Sequence, residues 1–218
     1  MGASRDTQLL YLVSQEDLDA EGPAKAGEHD LYLYRAQEDS FAFIGALSGD
    51  DAREVFGSEE SEPTLTPIAR APFLRSSRIS ADGLYAAFAS SAPLTGYDNT
   101  DQPSGRADAE VFLYDAQEDE LLCASCNPSG ARPHGENRGT AVNPYWAPAT
   151  IPGWENQSHA SRALSEDGAR LFFEATDSLS LQDTNGAQDV YQWESPGKGT
   201  CATQSPTYSP TNKGCIEL

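Results

Sequence analysis

The sequence predicts an all-β fold made of propeller blades: three four-stranded antiparallel repeats of about 80 residues each, forming an incomplete propeller. Three observations predict it. One motif recurs three times along the chain, and a second recurs behind it in the same order. Each copy sets turn residues between short apolar runs, as hairpins do. No segment sustains a capped 3.6-residue apolar period, so helices are not expected outside the longest loops.

The first motif is clearest in Ser80-Ala-Asp82-Gly83-Leu-Tyr85-Ala-Ala-Phe88-Ala-Ser90 and Ser165-Glu-Asp167-Gly168-Ala-Arg-Leu-Phe172-Phe173-Glu-Ala175. A weaker copy opens the chain as Ser4-Arg-Asp6-Thr7-Gln-Leu-Leu10-Tyr11-Leu-Val-Ser14. A leucine follows at one offset in all three, as Leu18, Leu94 and Leu179. Asp-Gly reads as a two-residue hairpin turn. It joins strands at Phe73–Ser80 and His159–Ser165 to apolar strands at Leu84–Ser90 and Arg170–Ala175. The second motif is Asp30-Leu-Tyr32-Leu-Tyr34, Glu110-Val-Phe112-Leu-Tyr114 and Asp189-Val-Tyr191-Gln-Trp193. Its aliphatic–aromatic alternation is that of a half-buried strand. Two copies share the turn Ala-Gln-Glu-Asp, ending at Asp39 and Asp119, which leads to a fourth strand at Phe41–Leu47 or Glu120–Ser125. Tyr11, Phe88, Phe173, Tyr32, Phe112 and Tyr191 are expected where sheets pack on each other. A β-sandwich is the competing architecture, but it needs no motif at a fixed period.

The chain therefore reads as one incomplete propeller over 1–218, with repeats near 4–48, 74–126 and 159–218 and long loops at 49–72 and 127–158. Both loops are rich in Pro, Gly, Ser, Asn and Glu and are long for blade connections. They read as surface loops or as a binding lid. The last blade is expected to stop within its fourth strand at Cys215-Ile-Glu-Leu218; the chain then reads either as a fragment of a longer propeller or as part of a homo-oligomer, in which two chains could close a six-bladed ring because open sheet edges pair.

Charge narrows the partners. Acidic residues number 34 and basic ones 14, a net charge of −20. Nucleic acid needs a basic stripe, and an anionic membrane surface attracts basic segments, so neither is an expected partner. No apolar run approaches the ~18 residues of a spanning helix, and Leu9–Val13 is too short for a signal-peptide core. Membrane insertion is not expected.

Ser-x-Asp-Gly with its apolar run, an Asp-rich loop and Asp-Val-Tyr-x-aromatic together resemble the TolB-like β-propeller repeat, most closely the extended, Cys-containing repeats of secreted actinobacterial proteins. The resemblance covers most of 4–48, 74–126 and 159–194. It implies a propeller and a protein-interaction role. Related blades also cap prolyl-oligopeptidase-type hydrolases.

The four cysteines form a near pair, Cys123 and Cys126, and a farther pair, Cys201 and Cys215. They read as two disulfides of an exported protein, in the periplasm, at the cell surface or outside the cell. A 201–215 bridge would staple a Pro/Ser/Thr loop, worth up to about 3 kcal/mol by chain entropy. A redox Cys-x-x-Cys, a four-cysteine zinc site and reduced structural thiols are the alternatives.

Acidic loops are the candidate cation sites. Asp183-Thr-Asn185-Gly186-Ala-Gln-Asp189 sets three oxygen-bearing side chains and a glycine turn within seven residues, a spacing that suits calcium, the one candidate cofactor. Asp98, Asn99 and Asp101, followed by Asp108 and Glu110, are a looser version, and Asp17, Asp19 and Asp30 the weakest. The competing reading is that Asp and Asn cap their own turns. Tyr145, Trp146 and Trp154 in the second long loop are candidates to stack on a sugar or a partner, or to pack the loop down. No catalytic residue is assigned. His29, His134 and His159 are isolated, and no Gly-x-Ser-x-Gly elbow is present. The expected function is a non-catalytic module that binds protein or glycan. The alternative is the propeller half of a hydrolase.

Overall fold

The computed structural model describes residues 1–19, 22–23, 27–48, 51, 77–137, 146–152 and 162–218. It holds three antiparallel sheets in sequence, and no helix among the described residues. Blade 1 is β1 (Gly2–Ala3), β2 (Leu9–Ser14), β3 (His29–Arg35) and β4 (Ser40–Leu47), paired in that order. Blade 2 repeats it with β5 (Arg78–Ile79), β6 (Tyr85–Ser90), β7 (Glu110–Asp115) and β8 (Glu120–Cys123). After a two-stranded ribbon, β9 (Glu136–Asn137) and β10 (Trp146–Ala147), comes blade 3. Its strands are β11 (Ala149–Thr150), β12 (Arg170–Ala175), β13 (Asp189–Glu194), β14 (Tyr208–Ser209) and β15 (Gly214–Glu217), ordered β11-β12-β13-β15-β14. The fourth strand of blade 3 is thus formed, by β15 on β13.

Two expectations are corrected. The Asp-Gly turns close four-residue loops rather than two-residue ones. Ser80 pairs with Tyr85 across Ala81–Leu84, with the Ser80 N–H on the Tyr85 carbonyl at 2.9 Å. The Ser80 hydroxyl accepts the Tyr85 N–H and donates to Asp82, whose carboxylate accepts the Leu84 N–H. Side-chain oxygens take the amides that a tighter turn would pair, and Gly83 at φ 79° completes the reversal. Ser165, Asp167 and Gly168 repeat every bond, as do Ser4 and Asp6, where Thr7 takes the glycine position at φ 60°.

The edge of blade 3 also differs. The expected strand His159–Ser165 lies outside the described residues at 159–161, and its described part, 162–165, makes one bridge, Leu164 to Leu171. The strand that edges β12 further along is β11, from the end of the second long loop. Of the first long loop only Asp51 is described. Its buried carboxylate accepts from the Ser48 and Ser91 N–H groups and the Ser90 and Ser91 hydroxyls, tying blade 1 to blade 2.

Strand alternation gives each blade two faces, and the core lies between blades. Tyr11, Leu31 and Leu33 of blade 1 pack on Ala86, Phe88, Phe112 and Tyr114 of blade 2. The opposite face of blade 2, with Ala87, Val111 and Leu113, packs on Leu171, Phe173, Tyr191 and Trp193 of blade 3. Of the six aromatics expected where sheets pack, Tyr11, Phe88, Phe112, Phe173 and Tyr191 lie in these two clusters, whereas Tyr32 is buried but lies in neither. Leu94 explains the repeated leucine: it reaches from blade 2 onto Gly45 of blade 1, where a Cβ would sit 3.0 Å from it. Leu179 enters the core between blades 2 and 3 in the same way.

Candidate functional site

Buried carboxylates collect at the boundary of blades 2 and 3. The loop from β6 to β7 folds back on itself. Thr100 bridges Ala107, the Asp101 N–H bonds the Arg106 carbonyl at 2.7 Å, and the Asp108 N–H bonds the Asn99 carbonyl at 2.9 Å. The Asn99 amide fills the loop's interior, donating to the Ser91 and Asp108 carbonyls. This fold-back carries Asp101 and Asp108 inward, both fully buried. Glu110 opens β7 beside them, also buried.

The segment Arg132–Gly135 lies across this loop as a strap. The Gln102 N–H bonds the Pro133 carbonyl at 2.9 Å, and the Arg132 guanidinium donates to the Thr100 and Asp101 carbonyls. The strap's own amides point at acids. The Gly135 N–H donates to Asp101 at 2.9 Å, and the His134 N–H donates to both oxygens of Asp177 at 3.0 and 3.2 Å. Asp177 stands just beyond β12 of blade 3 and is buried, so the cluster spans the blade boundary. Gly135 crosses tightly over Asp108, and a Cβ there would lie 2.4 Å from its Oδ2.

The electrostatics follow from burial. Burial, then the charge of Asp101, pushes the Asp108 carboxyl up to about 7, with the Gly135 amide opposing. Burial raises Glu110 well above the usual carboxylate range, against the Ser125 hydroxyl that donates to it. Asp177 is raised by burial and held back by the His134 N–H. A carboxyl that titrates near neutrality has the pKa of a general acid–base group. Asp108 is fully buried, and its neighbours set its charge.

The expected site residues distribute as follows. Asp101 and Asp108 come together. Asp98 stays outside, exposed, accepting the Thr100 N–H and standing 3.8 Å from Arg132. Asp183 accepts the Tyr191 hydroxyl and the Asn185 N–H, while Asn185 accepts the Ala187 N–H. Asp189 lies near the same tyrosine, with its Oδ2 buried and without a hydrogen-bond partner. Asp17, Asp19 and Asp30 surround Tyr32, whose hydroxyl donates to the Glu16 carbonyl and accepts the Leu18 N–H. Tyr145 and Trp154 lie outside the described residues, and Trp146 contributes its backbone to β10.

Both disulfides are present, Cys123–Cys126 with Cα atoms 5.5 Å apart and Cys201–Cys215 at 5.6 Å, and no described cysteine is free. That matches a protein matured where thiols oxidise. Glu110 converges with Cys123 and Cys126, but the two sulfurs are bonded to each other and are not available to a metal.

Sequence reasoning missed Asp177, Gly135 and Asn212. Asn212 is fully buried and donates its amide to the carbonyls of Cys123, Ala124 and Cys126, fastening the end of blade 3 to the disulfide turn of blade 2. None of the three residues sits in the repeated motif.

No family model matches the chain, and no curated protein matches it. Among solved structures it is similar to TolB from Acinetobacter baumannii, at 14% identity and a TM-score of 0.29, over 99% of this chain and 41% of that one. The chain thus spans about two fifths of the length of that structure.

Proposed function

We propose that this chain is a non-catalytic, exported β-propeller module that binds protein through the leading face of blade 1. One observation carries the reading. Strand register makes Leu10, Leu12, Tyr32 and Tyr34 the equivalents of Ala86, Phe88, Phe112 and Tyr114 in blade 2 and of Leu171, Phe173, Tyr191 and Trp193 in blade 3. In blades 2 and 3 these residues are buried against the preceding blade. In blade 1 they belong to neither core cluster: Leu10 is 38% exposed and Leu12 and Tyr34 are half-buried, while Tyr32 is buried within its own blade under Glu16–Leu18. Phe41 and Phe43 of β4 extend the face, stacked edge-on to Tyr32 at 6.3 and 5.9 Å. A sheet face of this composition suits another sheet face, and an apolar patch of this kind marks an interaction surface. The two disulfides support an exported setting.

The test is self-association and dye binding, compared between the chain and Leu10→Lys. The reading expects either a concentration-dependent dimer or a bis-ANS signal from the monomer, and expects Leu10→Lys to remove it without lowering the melting temperature. A monomer that binds no dye, or an association indifferent to Leu10→Lys, overturns it.

A further inference from the structure

We propose that Asp108 and Asp101 of blade 2, with Asp177 of blade 3, bind a divalent cation of the calcium class that joins the two blades. The proposal begins with an imbalance. Both carboxylate oxygens of Asp108 are buried and neither has a hydrogen-bond partner. A buried carboxylate without partners is among the costliest arrangements a fold can hold. Of its neighbours only the Gly135 amide relieves it, and in part. The charged neighbours are acids, and among the described residues no Lys, Arg or His forms an ion pair with Asp101, Asp108 or Asp177.

The surroundings are built with care everywhere except at Asp108. Asp101 receives the Ser104 and Gly135 N–H groups, and Asp177 receives the His134 N–H. Each of these carboxylates keeps lone pairs in reserve, since an ionised carboxylate offers about four acceptor sites. The strap crosses Asp108 at a glycine, the residue that lets backbone pass so close. Two partnered acids thus flank one whose carboxylate meets, besides them, only the close-passing Gly135 backbone. A cation completes this arrangement.

The donor set selects the ion. Every offered atom is a carboxylate oxygen, which suits a hard cation and not zinc or copper. Among the described residues no three of these acids bring oxygens within 4.8 Å of one another. The ion therefore sits first on Asp108 and Asp101, with Asp177 and water completing the shell. Calcium accepts such irregular, partly hydrated shells, whereas magnesium demands a close octahedron. The net charge of −20 concentrates cations around the chain.

The competing account needs no metal: Asp108 carries a proton. Calorimetry with calcium chloride and melting curves in calcium or EDTA, on the whole chain, separate the two. The proposal expects calcium binding, a melting temperature several degrees higher in millimolar calcium, and a smaller rise in magnesium. Asp108→Asn, which removes the unpaired charge without changing shape, should fold and melt at least as high as the parent in EDTA but lose the calcium response. Asp177→Asn should weaken calcium binding about tenfold or more. Asp183→Asn, at the other acidic loop, should leave the response intact. Superimposed melts in calcium and EDTA, or a calcium response kept by Asp108→Asn or lost in Asp183→Asn, would overturn the site.

Discussion

At the scale of single residues, the repeated Ser-x-Asp-Gly motif is a hydrogen-bonding device. Its serine hydroxyl both accepts a strand amide and donates to the aspartate, in all three blades. Such a motif is legible in sequence because every partner lies within five residues of the serine. What sequence misjudged was loop length, since Asp-Gly alone cannot reveal that the serine takes the closing amide. Blade 1 offers a direct check, because Thr7 holds the glycine position at φ 60°, a conformation that disfavours a β-branched side chain. Thr7→Gly should stabilise the chain by up to about 1 kcal/mol, seen as a raised urea midpoint at unchanged m. Gly168→Ala should do the reverse and by more, since its Cβ would fall 2.2 Å from the Tyr85 ring. Asp167 links the same turn to pH. The Ser165 hydroxyl foremost, then Lys198 and the Ala169 N–H, hold its carboxyl at about 2. Its folded pKa lies below the unfolded value near 4, so its contribution is present above pH ~4 and fades as the pH falls towards 2. In Ser165→Ala an NMR titration should find the Asp167 carboxyl closer to 4, and an unmoved value would remove the serine from this role.

Between elements, the contacts that bind blade to blade come from far apart in sequence, and this is why they were not legible. The glycine of one turn abuts the preceding blade, Gly83 on Ser4 and Leu9, and Gly168 on Tyr85. The leucine peg was visible as a repeat, yet nothing local said that it points at a neighbour. The Asp108 site needs a strap nearly thirty residues downstream, and Asn212 reaches carbonyls 86 to 89 residues away. Asn212 is also held in place by its own carbonyl, which accepts the Trp193 indole N–H at 2.9 Å. Asn212→Ala would leave three buried carbonyls short of a donor, at a cost of about 2–4 kcal/mol. Hydrogen exchange should then speed up at 123–126 and 209–214 together. Asn212→Asp should be worse at neutral pH, where a carboxylate would face those carbonyls, and should recover in part as acid protonates it. Equal exchange in the parent and Asn212→Ala would show that the clasp carries no weight.

At the scale of the whole molecule, the two ends of the three-blade stack are unlike. The leading face of blade 1 is apolar and aromatic. The trailing face of blade 3 presents Phe172, Glu174, Val190 and Gln192, where blade 2 has Ala87, Ala89, Val111 and Leu113. Two of the four positions have turned polar, and the other two are open, Phe172 at 39% and Val190 at 57% exposed. A head-to-tail ring of two chains would have to bury Glu174 and Gln192 against aromatic rings, leaving polar groups to be satisfied in an apolar seam. A pair joined leading face to leading face avoids that cost and closes on itself by two-fold symmetry. The expected assembly is therefore a dimer that does not grow. Glu174→Ala with Gln192→Leu restores the residues blade 2 uses and reopens the trailing face, so this variant should form species larger than dimers with increasing concentration. Adding Leu10→Lys should return it towards smaller species by blocking the other end. Sedimentation velocity distinguishes the cases. If the double variant sediments as the parent does, the trailing face is not what limits assembly, and if the parent already forms closed pairs that survive Leu10→Lys, the chains join through their trailing faces instead.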